Sequence, residues 1–157
     1  MKVCFWQIGK TKESYLQEGE SIYHNRLKHY LNFESKVFPD IKNGGKLKPE
    51  ELKKAEAKMI LQHIAPSDLL ILLDENGQSL SSVKFSNFLN KKFQMGSKRL
   101  IFLVGGAFGF DQSLYDKANS KLALSPMTFT HQMVRVFFLE QLYRAMTILN
   151  NEKYHNI

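Results

Sequence analysis

Short, nearly continuous apolar runs recur along the chain and are separated by longer segments of mixed polarity. Residues 2–8, 68–74 and 99–104 are almost wholly apolar, which is typical of strands buried on both faces of a parallel sheet. Residues 33–38 alternate between their two faces and predict another strand, and residues 121–124 predict a short one. The pattern therefore predicts a sheet with five strands.

The segments between these strands carry apolar side chains at helical spacing. Leu16, Tyr23 and Leu27, for example, recur at intervals that place them on one side of a helix. Pro49 suits the first turn of the next helix, and Ser81 offers an N-cap for the one after it. The predicted helices cover residues 12–31, 49–64, 82–95, 111–118 and 131–150.

Strand and helix alternate along the whole chain, and this order predicts an α/β fold with a parallel sheet and helices on both faces. A chain of 157 residues without a linker or an internal repeat fits a single domain, residues 1–157. In open α/β sheets, ligands bind beyond the carboxyl ends of the strands. The loops that begin at Gly9, Asp74, Gly105 and Ser125 are therefore the places to look for chemistry.

Composition narrows the classes of protein. The only cysteine, Cys4, lies in an apolar run and is expected to be a small buried side chain, so neither a disulfide nor a zinc site is expected. The first residues lack the apolar core of a signal peptide, and no run is long enough to span a membrane, so we expect a cytoplasmic protein. The net charge of +7 suits a polyanionic partner, although a merely soluble basic surface explains it equally well.

The glycine-rich segment Gly105-Gly106-Ala107-Phe108-Gly109 follows a buried strand, and its glycines permit close approach of the backbone to a ligand. It is not the dinucleotide-binding fingerprint, because the spacing differs and no acidic residue follows at the expected distance. It is not a phosphate-binding P-loop either, because no Gly-Lys-Ser/Thr occurs. A dehydrogenase or an NTPase is thus disfavoured, and a plain tight turn remains the alternative to a ligand-binding loop.

The segment 124–131 is unusually apolar for a connection between a strand and a helix. Pro126 stops a strand, and Thr128 or Thr130 can cap the helix that follows, so the segment must be a loop. Most loops are polar and lie at the surface. This apolar loop can hold an adenine ring, or it can simply pack on the core.

The last helix has more apolar surface than a single stripe, and we expect one face to pack on the sheet and another against a second subunit. Glu140 and Arg144 are spaced to pair within that helix. Tyr154 and His155 stand in the terminal segment, where a histidine can accept a proton, contact RNA or be merely solvated. His131, at the start of the helix, is expected to be structural.

Taken together, these segments resemble the RlmH (YbeA-type) methyltransferases of the knotted SPOUT class, which modify a pseudouridine in large-subunit ribosomal RNA. The resemblance covers the whole chain, and the order and spacing of its motifs make it specific. The motifs are Leu73-Asp74-x-x-Gly77, Val104-Gly105-Gly106-x-x-Gly109, Leu124-Ser125-x-Met127-Thr128-Phe129-x-His131-Gln132-x-x-Arg135-Val136, Glu140-Gln141-Leu142-Tyr143-Arg144-Ala145 and Tyr154-His155.

The resemblance implies a trefoil α/β knot in which the C-terminal segment threads a loop, although chain-connection rules would not suggest a knot. It implies a homodimer in which the partner's terminal segment completes the site, no metal, and ribosomal RNA, within the ribosome or the large subunit, as the other partner. It also implies S-adenosylmethionine as the cofactor. The implied cofactor-binding residues are Leu73, Gly105, Leu124, Ser125, Pro126, Met127, Thr128 and Phe129.

Methylation of the ring nitrogen N3 of a pseudouridine requires loss of its proton, so a base or a cation that stabilises the ring anion is needed. By resemblance, Arg144 is the candidate cation, and His155, with Tyr154, is the candidate base or orients the base. Two positions depart from the family pattern. Thr130 replaces a usual proline, and Gln78 replaces a lysine that is common after Gly77.

Two other functions fit the same residues. A knotted methyltransferase that acts on transfer RNA would use the same loops for its cofactor, so only substrate tests separate it from the first hypothesis. A non-catalytic ribosome-binding protein would not bind S-adenosylmethionine at all.

Overall fold

A computed structural model of the protein describes residues 1–156. Its centre is a five-stranded sheet in which all strands are parallel, as the alternation of strands and helices predicts. The strands are β1 (Lys2–Ile8), β2 (Phe33–Phe38), β3 (Leu69–Ser79), β4 (Arg99–Val104) and β5 (Ser120–Ala123). Their order in the sheet is β2-β1-β4-β3-β5, so β1, β4 and β3 lie in the interior.

Helices cover both faces of the sheet, as predicted, because the inner strands are apolar on both sides. Val3 and Phe5 of β1 face one apolar core, whereas Cys4 and Trp6 face another. The helices are α1 (Ser14–Leu27), α2 (Pro49–Leu61), α3 (Ser82–Phe93), α4 (Gln112–Lys117) and α5 (Met133–Leu149), with a short 3₁₀ helix at Gly44–Lys46. The first core includes side chains of α1, α3 and α5, and the second includes side chains of α2 and α4.

The local signals for helix starts act as expected. Pro49 stands in the first turn of α2, where Glu51 accepts a hydrogen bond from the backbone N–H of Lys48 at 3.0 Å. The hydroxyl of Ser81 accepts from the N–H of Lys84 and caps α3. Cys4 is buried, as predicted.

Strand β3 differs from the prediction because it continues past Asp74 to Ser79. Both Leu73 and Gln78 pair with Leu122 of β5, so the residues between them bulge out of the ladder. Gly77 permits this close contact, since a Cβ atom there would lie 2.6 Å from the backbone N and C atoms of Leu122. The polar residues of this segment conceal its pairing in the sequence. The C-terminal knot stays a prediction.

Candidate active site

A cavity of about 390 Å³ lies at the carboxyl ends of β3, β4 and β5, where an open α/β sheet binds its ligands. Its wall comes from residues 73–76 of β3, the glycine loop after β4, the loop after β5 and the start of α5. The predicted cofactor residues in the wall are Leu73, Gly105, Leu124, Ser125, Met127, Thr128 and Phe129. Pro126 is exposed in the same loop and does not line the cavity.

The glycine loop brings backbone atoms to the cavity wall. A Cβ atom on Gly105 would lie 3.1 Å from the ring of Phe110, and one on Gly106 would lie 2.8 Å from a carboxylate oxygen of Glu56. Gly109 has a positive φ of 81°, a conformation that favours glycine. Side chains at these positions would crowd or strain the loop, so its conformation requires glycine there.

Acidic and neutral side chains supply the polar part of the wall. Tyr115 donates a hydrogen bond to Asp74, and Thr128 donates one to Glu75 at 2.7 Å. Burial and the bond to Asp74 raise the pKa of Tyr115, so this phenol stays protonated at neutral pH. No lysine or arginine lines the cavity among residues 1–156. The wall therefore suits a ligand that carries a positive charge.

His131 lines the same cavity, although the sequence suggests a purely structural role. Burial, with the nearby charges of Arg135 and Lys12, lowers its pKa below the usual 6.5. At neutral pH the imidazole is therefore uncharged. Asp74 and Tyr115 also line the cavity, although the sequence suggested no role for either. For Asp74, the feature that could have indicated a role is its place at the end of the buried apolar run of β3.

Arg135 holds the first turn of α5 against the end of β1. Its side chain is fully buried, and its guanidinium donates to the carbonyls of Ile8 at 2.8 Å and Gly9 at 3.1 Å. It also donates to the hydroxyl of Thr11 at 2.9 Å, and that hydroxyl in turn donates to Glu20. The sequence hinted at this role only through an arginine set among apolar residues.

The candidate catalytic side chains form a second cluster, organised by Glu140. The carboxylate of Glu140 accepts hydrogen bonds from Arg144 at 2.5 Å and from the hydroxyl of Tyr154 at 3.1 Å. Nη1 of Arg144 lies 3.3 Å from Nδ1 of His155. The hydrogen bond to Glu140 raises the pKa of Arg144, and burial, with the neighbouring Tyr23 and Glu140, raises the pKa of Tyr154. Arg144 is thus a fixed cation and Tyr154 a neutral donor.

The structure brings the catalytic candidates together but does not join them to the cavity of the same chain. Among residues 1–156, neither Arg144 nor Tyr154 nor His155 lines that cavity. Arg144 follows the cavity residue Val134 by ten positions on α5, a separation of about 15 Å along the helix axis. The hydroxyl of Tyr30 donates to Glu152 at 2.6 Å and helps hold the terminal segment against its own chain.

Glu56 gives the glycine loop a neighbour that is sensitive to pH. Burial, with the charge of Asp40, raises its pKa from 4.5 to about 7. Between these values the folded state binds more protons than the unfolded state, so stability falls as the pH rises through this window. We expect Glu56→Gln to raise the free energy of unfolding by about 1–3 kcal/mol at pH 8.

The same substitution should change stability much less at pH 5, because the penalty for ionisation has barely developed there. Urea unfolding at both pH values measures the difference. Glu18→Gln is a matched control on the exposed side of α1 and should show no such dependence. An equal effect of Glu56→Gln at both pH values would contradict the assignment.

Among residues 1–156, no helix combines the length and apolar character that crossing a membrane requires. That part of the chain also contains no group of three or more His, Cys, Asp or Glu side chains arranged to hold a metal ion.

Comparison with known proteins shows the family of the chain. Residues 1–155 match the family described as "Predicted SPOUT methyltransferase". The chain is 49% identical over 156 residues to the ribosomal RNA large subunit methyltransferase H of Parabacteroides distasonis, with 99% of each chain covered. It is 51% identical to the protein of that name from Cytophaga hutchinsonii, covering 99% of this chain and 100% of the relative. The protein belongs to the SPOUT methyltransferase family.

Proposed function

We propose that this protein transfers a methyl group from S-adenosylmethionine to N3 of a pseudouridine in large-subunit ribosomal RNA, on ribosomes or large subunits in the cytoplasm. The observation that carries the proposal is the cavity at the carboxyl ends of the strands, with its glycine backbone and its acidic wall without lysine or arginine among residues 1–156. The names of the full-length relatives supply the substrate class.

Two parts of this cofactor find suitable surfaces in the cavity wall. Leu124, Phe129 and Val134 offer apolar surface for the adenine ring. The carboxylates of Asp74 and Glu75 suit ribose hydroxyls or a positive sulfonium. S-adenosylmethionine, when bound, supplies an electrophilic methyl group.

The second cluster fits the other half of the reaction. Loss of the N3 proton to solvent leaves a negative charge on the pyrimidine ring, and the guanidinium of Arg144 can stabilise this charge. Glu140 holds Arg144 and the phenol of Tyr154 in place. Because a guanidinium has only donors, its contact with His155 is a hydrogen bond only if Nδ1 of His155 accepts. This geometry favours an orienting role for His155 over that of a free base.

A second copy of the chain would complete the site, because the cavity and the catalytic cluster lie apart in one copy. Large apolar side chains are exposed on the two helices that pack together, among them Tyr15 and Ile22 of α1 and Met133 and Phe137 of α5. Such a surface is typical of a subunit interface. Light scattering at micromolar concentration should give about twice the monomer mass of 18.2 kDa. A monomer mass alone would contradict the dimer.

Calorimetry with S-adenosylmethionine tests the cofactor, and Gly105→Val tests its location. We expect this substitution to weaken binding about tenfold or more, because the new side chain displaces Phe110 and fills part of the cavity. Gly45→Val is the matched control, since a Cβ there meets no atom within 4 Å. Thermal unfolding of both variants separates loss of the site from loss of the fold. Wild-type binding by Gly105→Val would mean that the loop is only a turn.

The substrate is tested with labelled cofactor and three acceptors: large subunits, assembled ribosomes and transfer RNA, all from cells that lack this enzyme. The proposal predicts label in large-subunit ribosomal RNA. Label in transfer RNA alone would assign the protein to the second hypothesis. Absence of S-adenosylmethionine binding would leave the third hypothesis, a non-catalytic ribosome-binding protein.

A further inference from the structure

Four tyrosines from α1, its C-terminal extension, α5 and the terminal segment form an aromatic cluster next to the catalytic candidates. The ring of Tyr143 lies 6.0 Å from that of Tyr23, 5.8 Å from that of Tyr30 and 4.8 Å from that of Tyr154, measured between centroids. The guanidinium of Arg144 lies over the ring of Tyr154 at 4.8 Å. The cluster therefore extends the candidate active site toward α1.

Arg26 occupies the outer side of this cluster. Its guanidinium carbon lies 5.5 Å from the ring centroid of Tyr23 and 5.3 Å from that of Tyr143. The residue is nevertheless exposed. Two aromatic rings thus hold a cation at the surface, near the residues proposed to meet the target base.

Arg26 differs from the other arginines of the protein because its guanidinium has no polar partner in the part of the chain that the structure describes, residues 1–156. All of its N–H groups are available to a ligand. The other arginines donate hydrogen bonds to protein acceptors: Arg99 to Asp68, Arg135 to Ile8, Gly9 and Thr11, and Arg144 to Glu140.

We propose that Arg26 binds a backbone phosphate of the RNA strand that carries the target nucleotide. A guanidinium held over aromatic rings without a polar partner keeps its N–H groups free, and their fork matches two phosphate oxygens. Because the rings already restrict the side chain, less conformational entropy is lost when the phosphate binds. The inference rests on the proposed function and adds to it a surface that positions the RNA, separate from the cofactor cavity.

The test is Arg26→Gln, assayed for methyl transfer to large subunits at several salt concentrations. We expect KM for the subunits to rise about tenfold at low salt, while kcat and the affinity for S-adenosylmethionine stay unchanged. The slope of log(kcat/KM) against log salt concentration is negative, and loss of one phosphate contact should make it less steep by about one. A purely structural role would not change that slope.

Two variants control for charge and for shape. Lys58→Gln removes one exposed positive charge from α2, on the opposite face of the sheet, and should leave KM and the salt slope as in the wild type. Arg26→Lys keeps the charge but loses the planar fork, so it should restore the slope and only part of the KM.

Three outcomes would overturn the inference. A wild-type KM and salt slope for Arg26→Gln would mean that no phosphate binds there. A monomer mass for Arg26→Gln would make Arg26 a subunit contact instead. If the wild-type protein transfers no methyl group to ribosomal RNA, the proposed function itself is wrong. That outcome differs from the first one, in which the wild type is active and Arg26→Gln behaves like it.

Discussion

Replacement of Arg135 by methionine is expected to lower the free energy of unfolding by about 3–5 kcal/mol, the usual cost of removing one partner from a buried charged network. Methionine keeps the packing of the aliphatic part of the side chain but has no guanidinium. The carbonyls of Ile8 and Gly9, however, would lose donors at 2.8 and 3.1 Å in a site that water does not reach. The carboxylate of Glu20 would lose its link to the guanidinium through Thr11.

Urea unfolding at equal protein concentrations measures this loss, because the stability of a dimer depends on concentration. Lys58→Met is the matched control, since it also replaces a cationic side chain by methionine but at an exposed position. It should stay within about 0.5 kcal/mol of the wild type. Arg135→Lys should fall between the two, because lysine keeps the charge but cannot reach several acceptors at once. A loss below about 1 kcal/mol for Arg135→Met would show that the network contributes little.

Arg135→Met should also weaken cofactor binding. His131 and Val134 line the cavity from the start of α5, and Arg135 fixes this part of the chain to the end of β1. Calorimetry with S-adenosylmethionine, under conditions in which the variant is folded, measures that effect. An unchanged affinity would mean that Arg135 stabilises the fold and does not affect cofactor binding.

Replacement of His155 by alanine is expected to reduce methyl transfer to large subunits about 100-fold, a typical cost for loss of a group that serves the transition state. Without the imidazole, Arg144 keeps Glu140 and the ring of Tyr154 but loses the contact with Nδ1 of His155. The affinity for S-adenosylmethionine should stay unchanged, because the residues that line the cavity come from other segments of the chain. A loss of affinity would instead place the partner's terminal segment against the cofactor. Full activity of the variant would reduce this segment to a solvated end.

A mixing experiment tests whether the site is shared between two copies. In a dimer of one Gly105→Val chain and one His155→Ala chain, one site would combine both defects, and the other would combine an intact cavity with an intact terminal segment. Co-expressed mixed dimers should therefore recover up to half of the wild-type activity, although each parent variant is impaired. If each site lay within one chain, mixing would restore nothing. Gly45→Val mixed with His155→Ala controls for the effect of subunit exchange alone.

The number and type of the elements, their parallel arrangement and two of the loops that line the cavity were predictable from the sequence. Runs such as Leu69 to Leu73 are apolar throughout because both of their faces are buried, and this pattern is local. The glycine loop was recognisable because Gly105 and Gly106 stand directly after such a run. The likeness of the ordered motifs to a known family added the expected function, which no single pattern carried.

Only the tertiary structure decided the features that depend on residues far apart in the chain. The pairing of Gln78 with Leu122 extends β3, although Gln78 itself is polar and exposed. Arg135 is buried because β1 presents carbonyl groups to it across more than a hundred residues. The separation between the cavity and Arg144 likewise follows from the direction of α5 across the sheet. Local sequence determines which face of an element is apolar, whereas contacts across the fold determine which polar groups find partners and which, like Arg26, remain available to a ligand.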